Sequence, residues 1–427
     1  MKYRNDMPKA HLLGAALTCA LAAAYAPAAT WSGLGADTLA SNTNNWEGGS
    51  APSTNAAIVL DATGAAYPMT WDLDFPVGSW TQDGYTSTVT IATRYGSTGF
   101  TNLVVTNNVV LNSGKWTHKD NATVATYRLC VTIGGSLTIG AEAAIDVDAL
   151  GFDVKYGPSG ILASPTYNGG DYAGYGGIGG TTIYNPPYGS ITAPVDLGCG
   201  GGSAGGASSG GGAVMLTVAR AFVHNGAIRA TSKVSNYYTG SGGSVFITAG
   251  SIAGAGTISA NSAKPNYTAS GSGGRVAVIL TDEDADFSAY NVVVLVEAIS
   301  QCTPGGNPGG SGTIYLETRD DTPHHGWLVV KGNGLVPATK YQYPIVYSAD
   351  DALPNFSRLT LTNAALVRIE AGKNLSLDGT GIACDDAPGI VNGFYIDGGR
   401  LFVSSTEEME IPYTLWAATA MDFAAPS

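Results

Sequence analysis

The chain has 427 residues, of which 59 are glycine and 12% are charged. Glycine is thus about twice as frequent, and charge about half as frequent, as in an average globular protein. A hydrophobic content of 44% excludes general disorder. The net charge of −13 argues against nucleic acid and anionic membrane surfaces as partners.

Residues 1–28 have the pattern of a secretory signal peptide. Three basic residues stand within the first nine positions, an apolar run covers 12–25, and the small residues of 26–28 offer a cleavage site. The alternative is a lipoprotein signal with Cys19 lipidated, although Thr18 suits such a site poorly. Removing three basic residues and one acidic residue leaves 17 basic and 32 acidic residues, a net charge of −15. We expect a secreted or surface-located bacterial protein without a membrane-spanning segment in its mature chain.

Residues 29–70 are expected to form an N-terminal cap segment. Two tryptophan motifs, Thr30-Trp-Ser-Gly33 and Asn44-Asn-Trp-Glu-Gly48, frame a polar stretch that precedes an apolar strand. A repeat structure needs its open end covered, so we predict that Trp31 and Trp46 cap the first coil. The alternative is an aromatic platform for a sugar.

Residues 71–320 have the pattern of stacked strands and turns. Early strands are predicted at 87–91, 103–105, 109–111, 128–133 and 144–148. On the last of these, Asp146 and Asp148 share one face, and paired carboxylates could serve a polysaccharide hydrolase as acid and base. The alternative is that they only solvate the strand, because no Arg, Lys or His lies within it to complete a site.

Residues 151–210 interrupt this pattern with a segment rich in Gly, Tyr, Pro and Ser. Its glycine runs lack the Lys-Ser/Thr ending of a phosphate-binding loop, so nucleotide binding is not expected. We predict a long loop along one flank of the repeat structure. Tyrosines on such a loop can stack on sugars or contact a protein with little entropy loss. The candidate ligand-binding residues are Tyr156, Tyr167, Tyr172, Tyr175, Tyr184 and Tyr188.

A repeat follows the insertion. Runs beginning at Gly212, Gly243 and Gly274 are similar, and these glycines are evenly spaced, with a period of about 31 residues. Apolar residues alternate at period two, which predicts parallel strands that pair Val245 with Val276 and bury one face. The predicted fold is therefore all-β, a right-handed parallel β-helix with the three glycines at matching corners. An antiparallel β-sandwich is the alternative.

The order of motifs resembles a known family. The tryptophan motifs, Trp71-Asp-Leu-Asp-Phe75, Gly134-Gly-Ser-Leu-Thr-Ile139 and the repeats are similar to those of bacterial exported proteins with autotransporter-associated β-strand repeats. The resemblance runs from the mature start through the repeats. It implies a secreted or surface-displayed right-handed parallel β-helix, used in such proteins for adhesion or matrix. It transfers an architecture and no site.

An acidic motif follows the third repeat. Asp282, Asp284 and Asp286 have the spacing of a calcium loop, but Phe287 stands where that loop needs glycine and Val293 where it needs glutamate. An acidic turn is therefore the favoured interpretation, and no metal or other cofactor is expected.

Residues 321–427 are expected to contain further, irregular β coils. The segment has no recognisable cap, which leaves open that the chain is one piece of a longer product or relies on a partner. Four cysteines remain after export: Cys130, Cys199, Cys302 and Cys384. Their wide spacing without a nearby His argues against zinc and leaves free thiols and disulfides both open.

The sequence favours a non-enzymatic function. It contains no metal-ligand cluster and no Cys–His arrangement. We expect an exported cell-surface or extracellular-matrix protein, structural or adhesive, that binds a glycan or a surface protein through its loops. The alternative is a β-helix polysaccharide lyase or glycoside hydrolase acting through Asp146 and Asp148. A purely structural spacer is the simplest rival.

Overall fold

The computed structural model describes residues 28–335, except 164, 165, 167, 175–185, 205 and 207, and then 355–370, 374–384, 392–397, 400–403 and 416–417. Residues 1–27 of the predicted signal peptide, with Cys19, lie outside the described residues, as do Tyr167, Tyr175, Tyr184 and much of 321–427. In the described part, no helix is long and apolar enough to cross a membrane.

The described chain is nearly all strand. Its helical segments are α1 (Val292–Leu295) and the 3-10 turns Thr43–Asn45, Glu47–Gly49 and Ala62–Gly64. The strands are β1 Ala29–Thr30, β2 Ala57–Leu60, β3 Met69–Trp71, β4 Ser79–Gln82, β5 Thr88–Ile91, β6 Leu103–Val105, β7 Val109–His118, β8 Leu129–Ile133, β9 Leu137–Asp146, β10 Tyr156–Gly157, β11 Gly160–Ile161, β12 Ala213–His224, β13 Ala227–Arg229, β14 Ser244–Ala253, β15 Thr257–Ser259, β16 Arg275–Leu280, β17 Val296–Glu297, β18 Thr313–Glu317, β19 Trp327–Lys331, β20 Asn355–Thr362, β21 Leu366–Glu370, β22 Asn374–Cys384, β23 Gly393–Asp397, β24 Arg400–Val403 and β25 Trp416–Ala417.

Up to β18 the strands stack in three parallel ladders, except for the antiparallel hairpin of β10 and β11. The first joins β1, β2, β4, β7, β9, β12 and β14, the second joins β3, β5, β7, β9, β13, β15 and β17, and the third joins β6, β8, β12, β14, β16 and β18. Val245 pairs in parallel with Val214 and with Val276, as the repeat predicts. This long, mostly parallel sheet is what a β-solenoid requires, and it excludes the antiparallel sandwich.

Alternation of side chains places the core between the ladders. In the second ladder, Val89, Trp116, Ile145, Ile228 and Ile258 lie in register and are fully buried. Burying each such side chain contributes about 1.5–3 kcal/mol. Because every coil shares this row with its neighbours, no coil is stable alone.

A series of buried tryptophans begins near the N-terminal end of the described chain. Trp31 packs edge-on against Trp46, and the series continues through Trp71 and Trp80 to Trp116, with ring centroids 5.1–6.5 Å apart. All five are buried, and Trp46 donates to the carbonyl of Ala40 at 2.7 Å. Each edge-to-face pair adds about 0.5–1.5 kcal/mol beyond area burial. The burial of Trp31 and Trp46 leaves neither ring exposed to a sugar, and the cap segment stays a prediction.

The repeat glycines lie at matching positions, as predicted. The amide of Ser244 donates to the Gly212 carbonyl at 3.0 Å, and the amide of Arg275 donates to the Gly243 carbonyl at 3.0 Å. A Cβ atom added to Gly243 would lie 1.9 Å from the Gly212 carbonyl oxygen, so the coils approach too closely there for any side chain. Gly312 repeats the arrangement against Gly274 and adds a fourth coil.

The stack changes direction after β18. Strand β19 pairs antiparallel with β18, and parallel strands β20, β22 and β24 follow, beside a second parallel sheet of β21, β23 and β25. Their buried side chains form a separate core that also covers Ala277 and Tyr315 on the outer face of the third ladder. The described part of 321–427 is therefore a second, reversed stack.

Candidate functional site

The 151–210 insertion packs against the stack instead of standing free from it. Its glycines hydrogen-bond to the repeat, for example Gly198 to Gly211 at 2.9 Å and Gly170 to Thr239 at 3.0 Å. A Cβ atom on Gly170 or Gly198 would lie within 2.7 Å of neighbouring backbone. Much of the high glycine content thus serves close packing of the insertion on the flank.

The described tyrosines of the insertion are mostly internal. Tyr172 is fully buried, and its hydroxyl lies 2.5 Å from the Ser244 hydroxyl. Tyr188, half-buried, donates to the Leu197 carbonyl at 2.6 Å, and Tyr156 is half-buried in a short hairpin. Burial removes Tyr172 from the predicted set of ligand-binding residues, because a buried ring has no face for a sugar.

Arg275 anchors the insertion to the third ladder. The side chain is fully buried, and both its Nε and Nη2 donate to the Tyr188 carbonyl, at 3.2 and 3.1 Å. Its Nη1 lies 3.2 Å from the Thr313 hydroxyl, and its guanidinium lies 5.5 Å from the Tyr172 ring centroid. A planar guanidinium suits such a site because it donates in several directions and stacks on aromatic rings.

Asp146 ends β9 and Asp148 follows two residues later, with Val147 buried between them and both carboxylates near Arg229. Adjacent coils supply the basic partners that their own strand lacks. Arg229 Nη2 lies 2.9 Å from Asp146 Oδ2 and Arg229 Nε lies 3.6 Å from Asp148 Oδ2, while Lys115 Nζ lies 3.8 Å from Asp146 Oδ2. We call these four residues the charged strip.

Burial raises the pKa of Asp148 to about 6, although the amide of Thr231 donates to its carboxylate at 2.6 Å. The Asp148 carboxyl group therefore keeps its proton to a higher pH than an exposed aspartate does. Both carboxylates contact the same guanidinium, however, which is typical of an ion-pair network. An acid and a base for glycoside hydrolysis instead face each other across the substrate.

Open grooves continue the second ladder on either side of the strip. The first, of about 420 Å³, is lined by Thr86, Thr88, Ser113, Gly114, Lys115, Glu142 and Ala144. The second, of about 370 Å³, is lined by Thr231, Thr257, Ile258, Ser259, Asn261, Val294, Leu295, Glu297 and Gln301. Most of the residues that line each groove carry a hydroxyl, amide or charged group. Such a surface suits hydrogen bonding to an extended polar polymer more than enclosure of a small molecule.

The remaining predicted sites do not converge. Asp282, Asp284 and Asp286 lie on an exposed turn after β16, where Asp286 accepts from the Ser288 amide at 3.0 Å. Among the described residues, no three His, Cys, Asp or Glu side chains come together as metal ligands. Cys130, Cys199 and Cys302 are free thiols, and the side chain of Cys384 lies outside the described set.

Two histidines are buried structural groups. His118 donates from Nδ1 to the Lys119 carbonyl at 2.7 Å, and its Nε2 accepts from the Ala213 amide at 3.2 Å, which requires the neutral ring. Burial lowers the pKa of both His118 and His224 to about 4. They hold coils together and are inaccessible to a ligand.

Sequence reasoning missed Lys115 and Arg229, and also an exposed pair, Tyr237 and Tyr267. For the tyrosines the signal was the period itself, because they are almost one period apart. Lys115 lies on the coil before Asp146, where the ladder pairs it with Ala144. No protein family model, no curated protein and no solved structure matches the chain. The likeness to proteins with autotransporter-associated repeats therefore rests on sequence motifs alone.

Proposed function

We propose that this is an exported protein of the cell surface or extracellular matrix, a right-handed parallel β-helix with a structural and adhesive role. Its ligand is a glycan or a surface protein. Export is inferred from the predicted signal peptide, and a stiff extended shape from stacked coils, each of which adds about 4.8 Å. The binding surface we infer is the second ladder.

The observation that carries this proposal is the charged strip between two open grooves. Side chains from three successive coils form it, and its charges balance one another. Balanced charges and hydroxyl-rich grooves favour a neutral polar polymer over a polyanion. The predicted display of the 151–210 tyrosines carries less of the argument, because the described part of that segment is packed on the stack.

A binding screen of the mature chain tests the proposal, with neutral and acidic polysaccharides and whole cells as targets. Arg229→Ala is the diagnostic variant, and Arg220→Ala, which removes an exposed arginine of β12, is its control. The ion pairs are partly exposed, so their loss costs only about 0–1 kcal/mol of stability. We expect Arg229→Ala to weaken binding about tenfold. No binding by the wild-type chain would favour the structural spacer.

A polysaccharide lyase or glycoside hydrolase is the second candidate. The raised pKa of Asp148 beside Asp146 favours it, because a general acid must still carry its proton near working pH. Release of reducing ends from the same polysaccharides is the assay. Activity that Asp148→Asn abolishes would establish the enzyme, whereas no release by the wild-type chain leaves adhesion as the function.

A further inference from the structure

Two exposed tyrosines pack against each other on neighbouring coils of the solenoid. Tyr237 and Tyr267 lie on the turns after β13 and β15, and 39% and 66% of their surfaces are exposed. Their ring centroids are 5.4 Å apart with an interplanar angle of 40°. Tyr238, almost buried, lies 6.2 Å from the Tyr237 ring. We call Tyr237 and Tyr267 the tyrosine platform.

The two turns hold the platform in place. The amide of Tyr267 donates to the Asn236 carbonyl at 2.9 Å, and the amide of Ala269 donates to the Tyr237 carbonyl at 2.9 Å. The Thr268 hydroxyl donates to the same Tyr237 carbonyl at 2.5 Å. Since backbone and turn are already ordered, a ligand on these rings costs little further conformational entropy.

Amide groups adjoin the platform on both coils. Asn266 Nδ2 donates to Asn236 Oδ1 at 2.7 Å, and both residues are exposed. In the described part of the chain, the Asn236 amide nitrogen and the Asn266 carbonyl oxygen keep hydrogen-bonding capacity for a ligand. The charged residues within 231–240 and 262–270 are Lys233 and Lys264, and neither segment contains an acid.

We propose that the tyrosine platform is a carbohydrate-binding site for neutral polysaccharides with flat sugar units, such as β-linked glucans. A pyranose with equatorial hydroxyls presents a face of C–H groups that packs on an aromatic ring, while the asparagine amides bond to hydroxyls at its edge. The rings stand one coil apart, so the platform contacts neighbouring sugars of one chain. This site shares no residue with the charged strip. The proposal depends on the proposed function in one respect, that the ligand is a glycan.

The test is affinity electrophoresis and calorimetry of the mature chain with cellohexaose and a soluble mixed-linkage β-glucan. Tyr267→Ala and the double variant with Tyr237→Ala should weaken binding about tenfold or more, as truncated aromatic anchors do. Tyr267→Phe keeps the ring and should retain binding. Tyr67→Ala is the matched control, because Tyr67 on the N-terminal cap segment is 42% exposed, a fraction similar to that of Tyr237.

The outcomes separate this site from the charged strip. If Tyr267→Ala loses glucan binding and Arg229→Ala keeps it, the tyrosine platform is the binding site and the charged strip is not. The reverse result overturns the platform and leaves the proposed function intact. If the wild-type chain binds neither glucan, the tyrosine platform is not a carbohydrate-binding site. The same result is expected if the two rings bind a protein instead. Tighter, salt-sensitive binding of polygalacturonate would overturn the neutral ligand in favour of an acidic one recognised through Lys233 and Lys264.

Discussion

Replacing Arg275 by alanine should release the insertion from the stack. The shared contact to the Tyr188 carbonyl and the contact to Thr313 count as two hydrogen bonds to a charged donor. At about 1.5–3 kcal/mol each, their loss destabilises the closed insertion by about 3–6 kcal/mol. The side chain is fully buried, so solvent screening does not reduce this figure.

Cys199 reports the opening. Its thiol is fully buried beside Gly157 and Tyr188, and its sulfur lies 3.3 Å from the Tyr188 hydroxyl. A reagent therefore reaches it only when the insertion opens. Burial also raises the pKa of this thiol, which suppresses the reactive thiolate. Because about 1.4 kcal/mol is a factor of ten, a loss of about 3 kcal/mol speeds labelling about a hundredfold.

The assay is alkylation followed by peptide mass spectrometry, since Cys130 and Cys302 are also free and must be separated from Cys199. Arg220→Ala serves as the control and should leave the labelling rate of Cys199 unchanged. Equal protection of Cys199 in the wild-type chain and in Arg275→Ala would show that Arg275 does not anchor the insertion.

Three further predictions concern the stack. Gly243→Ala should destabilise the protein several times more than Gly305→Ala, as measured by urea unfolding. A Cβ atom at Gly305 would meet no atom within 4 Å, so that variant bears only the cost of a left-handed backbone, about 1–2 kcal/mol. Trp116→Ala should cost about 3–5 kcal/mol in the same assay, and a loss below about 1 kcal/mol would argue against a packed tryptophan series. Asp148→Asn should make the free energy of unfolding fall more steeply as the pH is lowered from about 6.5 to 4. In the wild-type chain the raised pKa of Asp148 stabilises the folded state as the pH falls, whereas the lowered pKa values of the two buried histidines destabilise it. The substitution removes the first effect and leaves the second. Identical urea midpoints across that range for both proteins would contradict this.

The repeat period and the alternation of apolar residues predicted most of the fold. The even spacing of the repeat predicted the pairing of Val214, Val245 and Val276, and the buried faces of these strands followed from period two. The fourth coil was harder to predict, because the interval from Gly274 to Gly312 is longer than one period. The extra length forms the turn and short helix before β17, which adds chain without disturbing the ladder. The reversal at β19 left no local pattern to read.

The insertion was predicted as a break but not as a packed layer. Period-two alternation detects strands, and the segment packs through glycine backbone and scattered buried tyrosines instead. Tyr172 looks the same in sequence as an exposed tyrosine. Its burial depends on Ser244 and Arg275, which begin strands β14 and β16 and are remote from it in sequence.

In a parallel ladder, the partners of a side chain come from the coil before and the coil after. A site therefore appears in sequence as recurrence at the period of the coil and not as a compact motif. Lys115 and Asp146 lie on adjacent coils, whereas the insertion lies between Asp146 and Arg229 and separates these ladder partners in sequence. The tyrosine platform recurs within one coil length, and its two rings meet at the surface. Tyr172, which lies within the insertion where the period is broken, became part of the packing. Aligning the chain on its own repeat is thus the step that locates candidate sites in such a protein, because it restores the neighbours that the linear sequence separates.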